Sequence, residues 1–201
     1  MIVAGVIMID MIMKRGMIFI IFFTLILMPF SCMSNITSFN KEEIDRKNSK
    51  IAVIPFIDYN KNEGNNSGEL VRSVFEAQLI TNEFKVIEIE KVASNINFDV
   101  LKKYEYSGNW LVEAGKSIGA DYIIYGSVHD YRIYQNTTSF LYVFSWLEIT
   151  ASVGITARMV SCKTGEVVWH GSYTRSSYDF NHAASEAVKV LIRSIKRKIE
   201  K

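Results

Sequence analysis

The stretch Thr150–Thr174, TASVGITARMVSCKTGEVVWHGSYT, decides the fold. In its first arm the apolar residues Val153, Ile155, Ala157 and Met159 recur at every second position, with Thr156 and Arg158 between them. An apolar period of two is that of a strand with one buried face. In the second arm, Glu166 to Thr174, Val167, Trp169 and Tyr173 share a face. Lys163-Thr164-Gly165 separates the arms and supplies a turn glycine, so the stretch predicts an antiparallel hairpin.

Working outward, Asp121–Val128 (DYIIYGSV) and the nearly all-apolar Ile51–Ile57 (IAVIPFI) read as buried strands, and Phe84–Ile89 (FKVIEI) as another. Ser67 is placed to cap a helix on which Leu70, Val71, Val74, Phe75 and Leu79 fall at helical spacing. Asn109–Ile118 predicts a second helix with Trp110, Leu111, Ala114 and Ile118 on one face and Gly119 as its C-terminal cap. Ala183–Ile199 predicts a third, with Ala184, Val188, Leu191, Ile195 and Ile199 inward. The cations of its last turns, Arg193, Lys196, Arg197 and Lys198, suit a helix C-terminus and read as a solvated face. Lys91–Tyr106 is weakly patterned. The order β-α-β-α-β-β-β-α predicts an α/β fold: a mixed sheet of about five strands packed against three helices, with a β-hairpin extension.

The N-terminus is built differently. From Met13 the chain reads MKRGMIFIIFFTLILMPFSC, with Lys14 and Arg15 ahead of an apolar run from Gly16 to Phe30. A positive segment, an apolar run too short to span a bilayer and a small residue at Ser31 predict a secretory signal over residues 1–31, with Met13 as the true start. An uncleaved membrane anchor is the alternative for the same segment. Residues 32–50, with the charge run KEEIDRKNSK, predict a flexible tether, and residues 51–201 one domain. Of the 201 residues 49% are hydrophobic, enough for a core, and the formal charge of +2 gives no basic field for nucleic acid.

Few residues invite chemistry. Gly108-Asn-Trp-Leu-Val-Glu-Ala-Gly115-Lys116-Ser117 has six residues between its glycines, where a phosphate loop needs four. His129 and Asp130 are adjacent on a strand, which predicts opposite faces; His170 falls mid-strand and His182 at a helix start. No Cys/His pair has metal-ligand spacing, and Cys162 reads as a small packing residue. These readings predict no enzyme, no metal and no cofactor. The segment Tyr131–Ile149 stands apart, crowding Phe140, Tyr142, Phe144 and Trp146 where a compact domain needs only a turn. It predicts either a contact surface for a membrane or partner, or strand arms folded on the core.

Two resemblances follow. Cys32 directly after the apolar run resembles the lipobox of bacterial lipoproteins, although Pro29 and Phe30 stand where that box has Leu and a small residue. It implies a lipid-modified N-terminus at Cys32. Val53-Ile-Pro-Phe56, Phe84-Lys-Val-Ile-Glu88, Ser117-Ile-Gly-Ala-Asp-Tyr122, Tyr125-Gly-Ser-Val128 and Val160 through Thr164-Gly-Glu-Val-Val168 resemble, in this order, the curli assembly/transport lipoprotein family. They are also similar to the penicillin-binding-protein activators and the TolB N-terminal domain. The resemblance implies a homo-oligomeric envelope lipoprotein, lipid-anchored to the outer membrane and facing the periplasm, that acts in secretion or surface assembly. The alternative it implies is a regulatory module contacting an envelope enzyme such as a penicillin-binding protein. Curli-type channels use two hairpin insertions per subunit, and here Arg175–Asn181 leaves little room for the second.

Overall fold

The predicted hairpin lies at the centre of the sheet. A computed structural model of the chain describes residues 36–37, 44–45, 47–59, 66–95, 97–98, 109–140 and 144–199. All belong to one compact unit, Ser34–Lys201. The strands are β1 (Ile36–Thr37), β2 (Lys50–Val53), β3 (Ile57–Asp58), β4 (Lys85–Val86), β5 (Tyr122–Phe140), β6 (Phe144–Ser161) and β7 (Val167–Ser177). The helices are α1 (Ser67–Thr81), α2 (Ile89–Asn95), α3 (Asn109–Ile118) and α4 (Phe180–Ile199). The sheet order is β1-β7-β6-β5-β2-β4, with β3 also on β5. The pairings of β5 with β2 and β3 are parallel, and those of β6 with β5 and β7 antiparallel, so the sheet is mixed as expected.

Period-two alternation sends the two sides of each strand into different cores. Ile51, Val53, Ile124, Ile155, Met159 and Trp169 pack under α1 and α4; Ala52, Ile54, Ile123 and Val160 pack under α2 and α3. Trp169 is fully buried, and its indole N–H donates to Ser194 Oγ of α4 at 2.9 Å. Cys162 is buried against α3, and burial pushes its thiol up to about 11, which fits an inert packing role.

Several local expectations are corrected. Pro55 interrupts the Ile51–Ile57 run, which splits into β2 and β3. Ile89 starts α2 instead of ending a strand. Asn66 precedes α1 in a left-handed conformation (φ 75°), and Ser67, its first helical residue, donates its hydroxyl to Asp58 Oδ2 at 2.6 Å instead of capping. Trp110 is 56% exposed, because Leu111, Gly115 and Ile118, one step round α3, meet the sheet. A register shift at Met159/Val160 turns Val167 to the side opposite Trp169, so those two do not share a face.

Two observations fall within residues 32–50. Ile36 and Thr37 pair with Gly171 and His170 of β7, and Ile44 is buried in the core shared by α1 and α4. Cys32 lies outside the described residues.

Candidate contact surface

β5 and β6 continue far beyond their neighbours. β3 leaves β5 at Val128, and β7 leaves β6 at Ala151. From Tyr134↔Thr150 to Phe140↔Phe144 the two strands are paired only with each other among the described residues. At about 3.3 Å per residue this ribbon projects roughly 20 Å.

Its two faces differ in charge. The register sets Ile133 opposite Ala151, Gln135 opposite Ile149 and Thr137 opposite Leu147. Alternation puts these on the face that carries Tyr131 and Val153 into the core. Ile133, Leu147 and Ile149 are 52%, 56% and 50% exposed there, with no charged residue among them. Arg132, Tyr134 and Glu148 lie on the opposite face. Of the aromatic residues picked out by sequence, Phe140 pairs in backbone register with Phe144, and Trp146 with Thr138. Their side chains, and all of Tyr142, lie outside the described residues. The expected contact residues are the larger rings and do not include Ile133, Leu147 and Ile149, whose odd-number spacing is the signal that groups them on one face.

The root of the ribbon is fixed on both faces. On the apolar face Tyr131 stacks on Phe180 at the start of α4, with centroids 3.8 Å apart and planes 6° from parallel. Burial, then the Asp58 charge, pushes the Tyr131 phenol up. On the polar face Asp130 accepts from Ser152 Oγ at 2.6 Å and from Arg132 Nε at 2.7 Å. Burial pushes this carboxyl up, but the two hydrogen bonds and the Arg132 charge outweigh it, leaving Asp130 below the ordinary aspartate value.

A bulge between Val128 and Asp130 corrects the His129–Asp130 expectation. A Cβ on Gly154 would lie 2.7 Å from His129 Nε2 and 2.8 Å from Asp130 Cβ, so both side chains stand over the same point of the sheet. They still make no catalytic pair: the Asp130 oxygens are taken by Ser152 and Arg132, and His129 Nδ1 lies 3.4 Å from Thr156 Oγ1. Burial holds His129 below the ordinary histidine value, against the pull of Asp130. His182 Nδ1 meets Ser177 Oγ at 2.8 Å, and its backbone N–H donates to Asp179 Oδ1 at 2.7 Å, which together fasten the start of α4. No cluster of three or more metal-ligating side chains occurs among the described residues. None of the helices searched there is long and apolar enough to cross a membrane.

No protein-family model and no curated protein matches the sequence. Solved structures do. Lipoprotein GNA1162 from Neisseria meningitidis is 17% identical over 76% of this chain and 98% of its own, with a TM-score of 0.44. The LpoB C-terminal domain from Escherichia coli is 13% identical over 64% of this chain and 83% of its own, with a TM-score of 0.42. The PelC dodecamer from Paraburkholderia phytofirmans is 15% identical over 81% of this chain and 97% of the PelC chain, with a TM-score of 0.54. Across nearly the whole PelC chain, this protein shares its fold.

Proposed function

We propose that this chain is a non-enzymatic bacterial envelope lipoprotein that is anchored through Cys32 and assembles into a homo-oligomer through the β5–β6 ribbon, in the service of secretion or surface assembly. The observation that carries this reading is the ribbon itself. A two-stranded ribbon alone is marginally stable in water, and this one holds Ile133, Leu147 and Ile149 on an uncharged face. A second copy that covers that face supplies the missing burial. The dodecameric state of PelC, which has the same fold, supports assembly of several copies.

The reading keeps the curli-type role in assembly and leaves out a pore. The free arms, residues 134–140 and 144–150, are shorter than the about 9–11 residues of a membrane-crossing barrel strand. A second reading has the ribbon rest on lipid. β1 runs antiparallel to β7, so the chain enters the sheet from the end where the ribbon projects, and Cys32 stands four residues before Ile36. Both readings place the domain on the periplasmic side of the outer membrane.

The test is the mass of the full chain in nonionic detergent, with and without the triple substitution Ile133→Ser, Leu147→Ser and Ile149→Ser. Assembly gives a multiple of the chain mass that falls to one chain in the variant. A wild-type monomer overturns self-assembly and favours the regulatory-module alternative. The anchor is tested separately by labelling cells with a palmitate analogue: Cys32→Ala should lose the label, and a label that persists excludes lipidation at Cys32.

A further inference from the structure

The ribbon does not account for the polar side of the sheet body. Tyr125 and Ser127 of β5, Thr156 and Arg158 of β6, and His170 and Ser172 of β7 are in cross-strand register on the side opposite α1 and α4. Ile57 and Tyr59 rise beside them and border an open cavity of about 220 Å³ over Tyr125, Ser127, Thr156 and Arg158. Tyr59 is exposed at its rim.

The charge pattern here is one-sided. Arg72 lies between Glu69 and Glu76, Arg132 on Asp130 and Lys189 on Glu186. Arg158 has no carboxylate partner among the described residues. Its directly opposite neighbours are Tyr125 on β5 and His170 on β7, and its diagonal neighbours Ser127 and Ser172 are neutral hydroxyls. An acid across from an arginine stabilises a sheet, and a like charge directly opposite is unfavourable. Burial first, and then the Arg158 charge, holds His170 below the ordinary histidine value. Facing His170, β6 presents Arg158, and the register partner on β1 is the uncharged Thr37.

We propose that this cavity is a binding site for an oxyanion, a carboxylate or phosphate group, with Arg158 as its charged anchor and the Ser127 and Thr156 hydroxyls as further donors. The guanidinium fork matches either group in a two-point contact. The Thr156 hydroxyl lies 3.0 Å from Ser172 Oγ, which can donate to it and leave the Thr156 proton for the anion. A bound anion also offsets the repulsion between Arg158 and a protonated His170. The site is independent of assembly through the ribbon.

The experiment uses the full chain, selectively labelled at histidine, in nonionic detergent. Inorganic phosphate and acetate are titrated separately while the His170 ring is followed by NMR through its own protonation. Binding gives a saturable shift and a raised His170 pKa. Arg158→Gln raises the ligand-free His170 pKa, since a positive neighbour is gone, and weakens anion binding about tenfold, as expected for one lost charge-assisted hydrogen bond. Arg132→Gln serves as the control and leaves binding unchanged. A response to phosphate alone assigns a phosphate-bearing ligand, and a response to acetate a carboxylate. No saturable shift with either anion, or an equal shift in Arg158→Gln, overturns the proposal.

Discussion

β5 and β6 are each one continuous strand with two unlike halves. Toward the body, Ile123, Ile124, Val153 and Ile155 are wholly buried, with neighbouring strands and helices around them. Toward the tip, Ile133, Leu147 and Ile149 continue the same alternation with more than half or about half of their surface in water. The pattern does not change along the strands; what changes is whether the chain supplies a cover. Apolar alternation therefore marks a surface meant for burial without saying which molecule buries it.

The largest expected effect lies in the body. Trp169→Ala removes a fully buried ring and the hydrogen bond its indole N–H donates to Ser194 Oγ, and should cost about 3–5 kcal/mol, read as a lowered melting temperature. Next is Gly68→Ala at the start of α1. A Cβ there would sit 1.9 Å from the Phe56 carbonyl oxygen, so the backbone must shift, at about 1–3 kcal/mol in chemical denaturation.

The root of the ribbon should respond less. Asp130→Asn weakens the bonds to Ser152 and Arg132; because Arg132 is largely exposed, about 1 kcal/mol is expected. The folded-state pKa of Asp130 is lowered. Its contribution is therefore full above the unfolded-state aspartate pKa and is lost as the pH falls through the folded-state value. The stability difference between wild type and Asp130→Asn should shrink in that acid window; a difference that stays constant through it removes Asp130 as the ionised clamp.

The smallest effect on stability should come from the tip. Ile133→Ser, Leu147→Ser and Ile149→Ser should each change the stability of a dissociated chain by less than about 0.5 kcal/mol. A cost of several kcal/mol would place these side chains in the fold and erase the contrast between the halves.

Sequence periodicity made the body legible because burial there is periodic. Val71, Phe75 and Leu79 on α1, Leu191 and Ile195 on α4, and Val153 to Met159 on β6 are buried as their spacing predicts. The errors cluster where one residue breaks the period. The bulges at His129 and after Met159 brought His129 and Asp130 together and parted Val167 from Trp169. β1 and β3 are two residues each, too short to show a period, and owe their pairing to β7 and β5. The ribbon was visible as an apolar excess between Tyr131 and Ile149, but which residues share its uncharged face depends on a register that only strand pairing fixes. The cavity beside Arg158 was hidden because Tyr59 and Arg158 are distant in sequence and meet only through the β3–β5 pairing.

Hydrogen exchange at the amides of residues 134–140 and 144–150 tests the central claim most directly, measured on the full chain in nonionic detergent at concentrations above and below assembly. If copies of the chain cover the ribbon, these amides should exchange slowly in the concentrated sample and quickly in the dilute one, while those of residues 153–160 stay protected in both. Ribbon amides that exchange equally fast at both concentrations would contradict assembly through this surface.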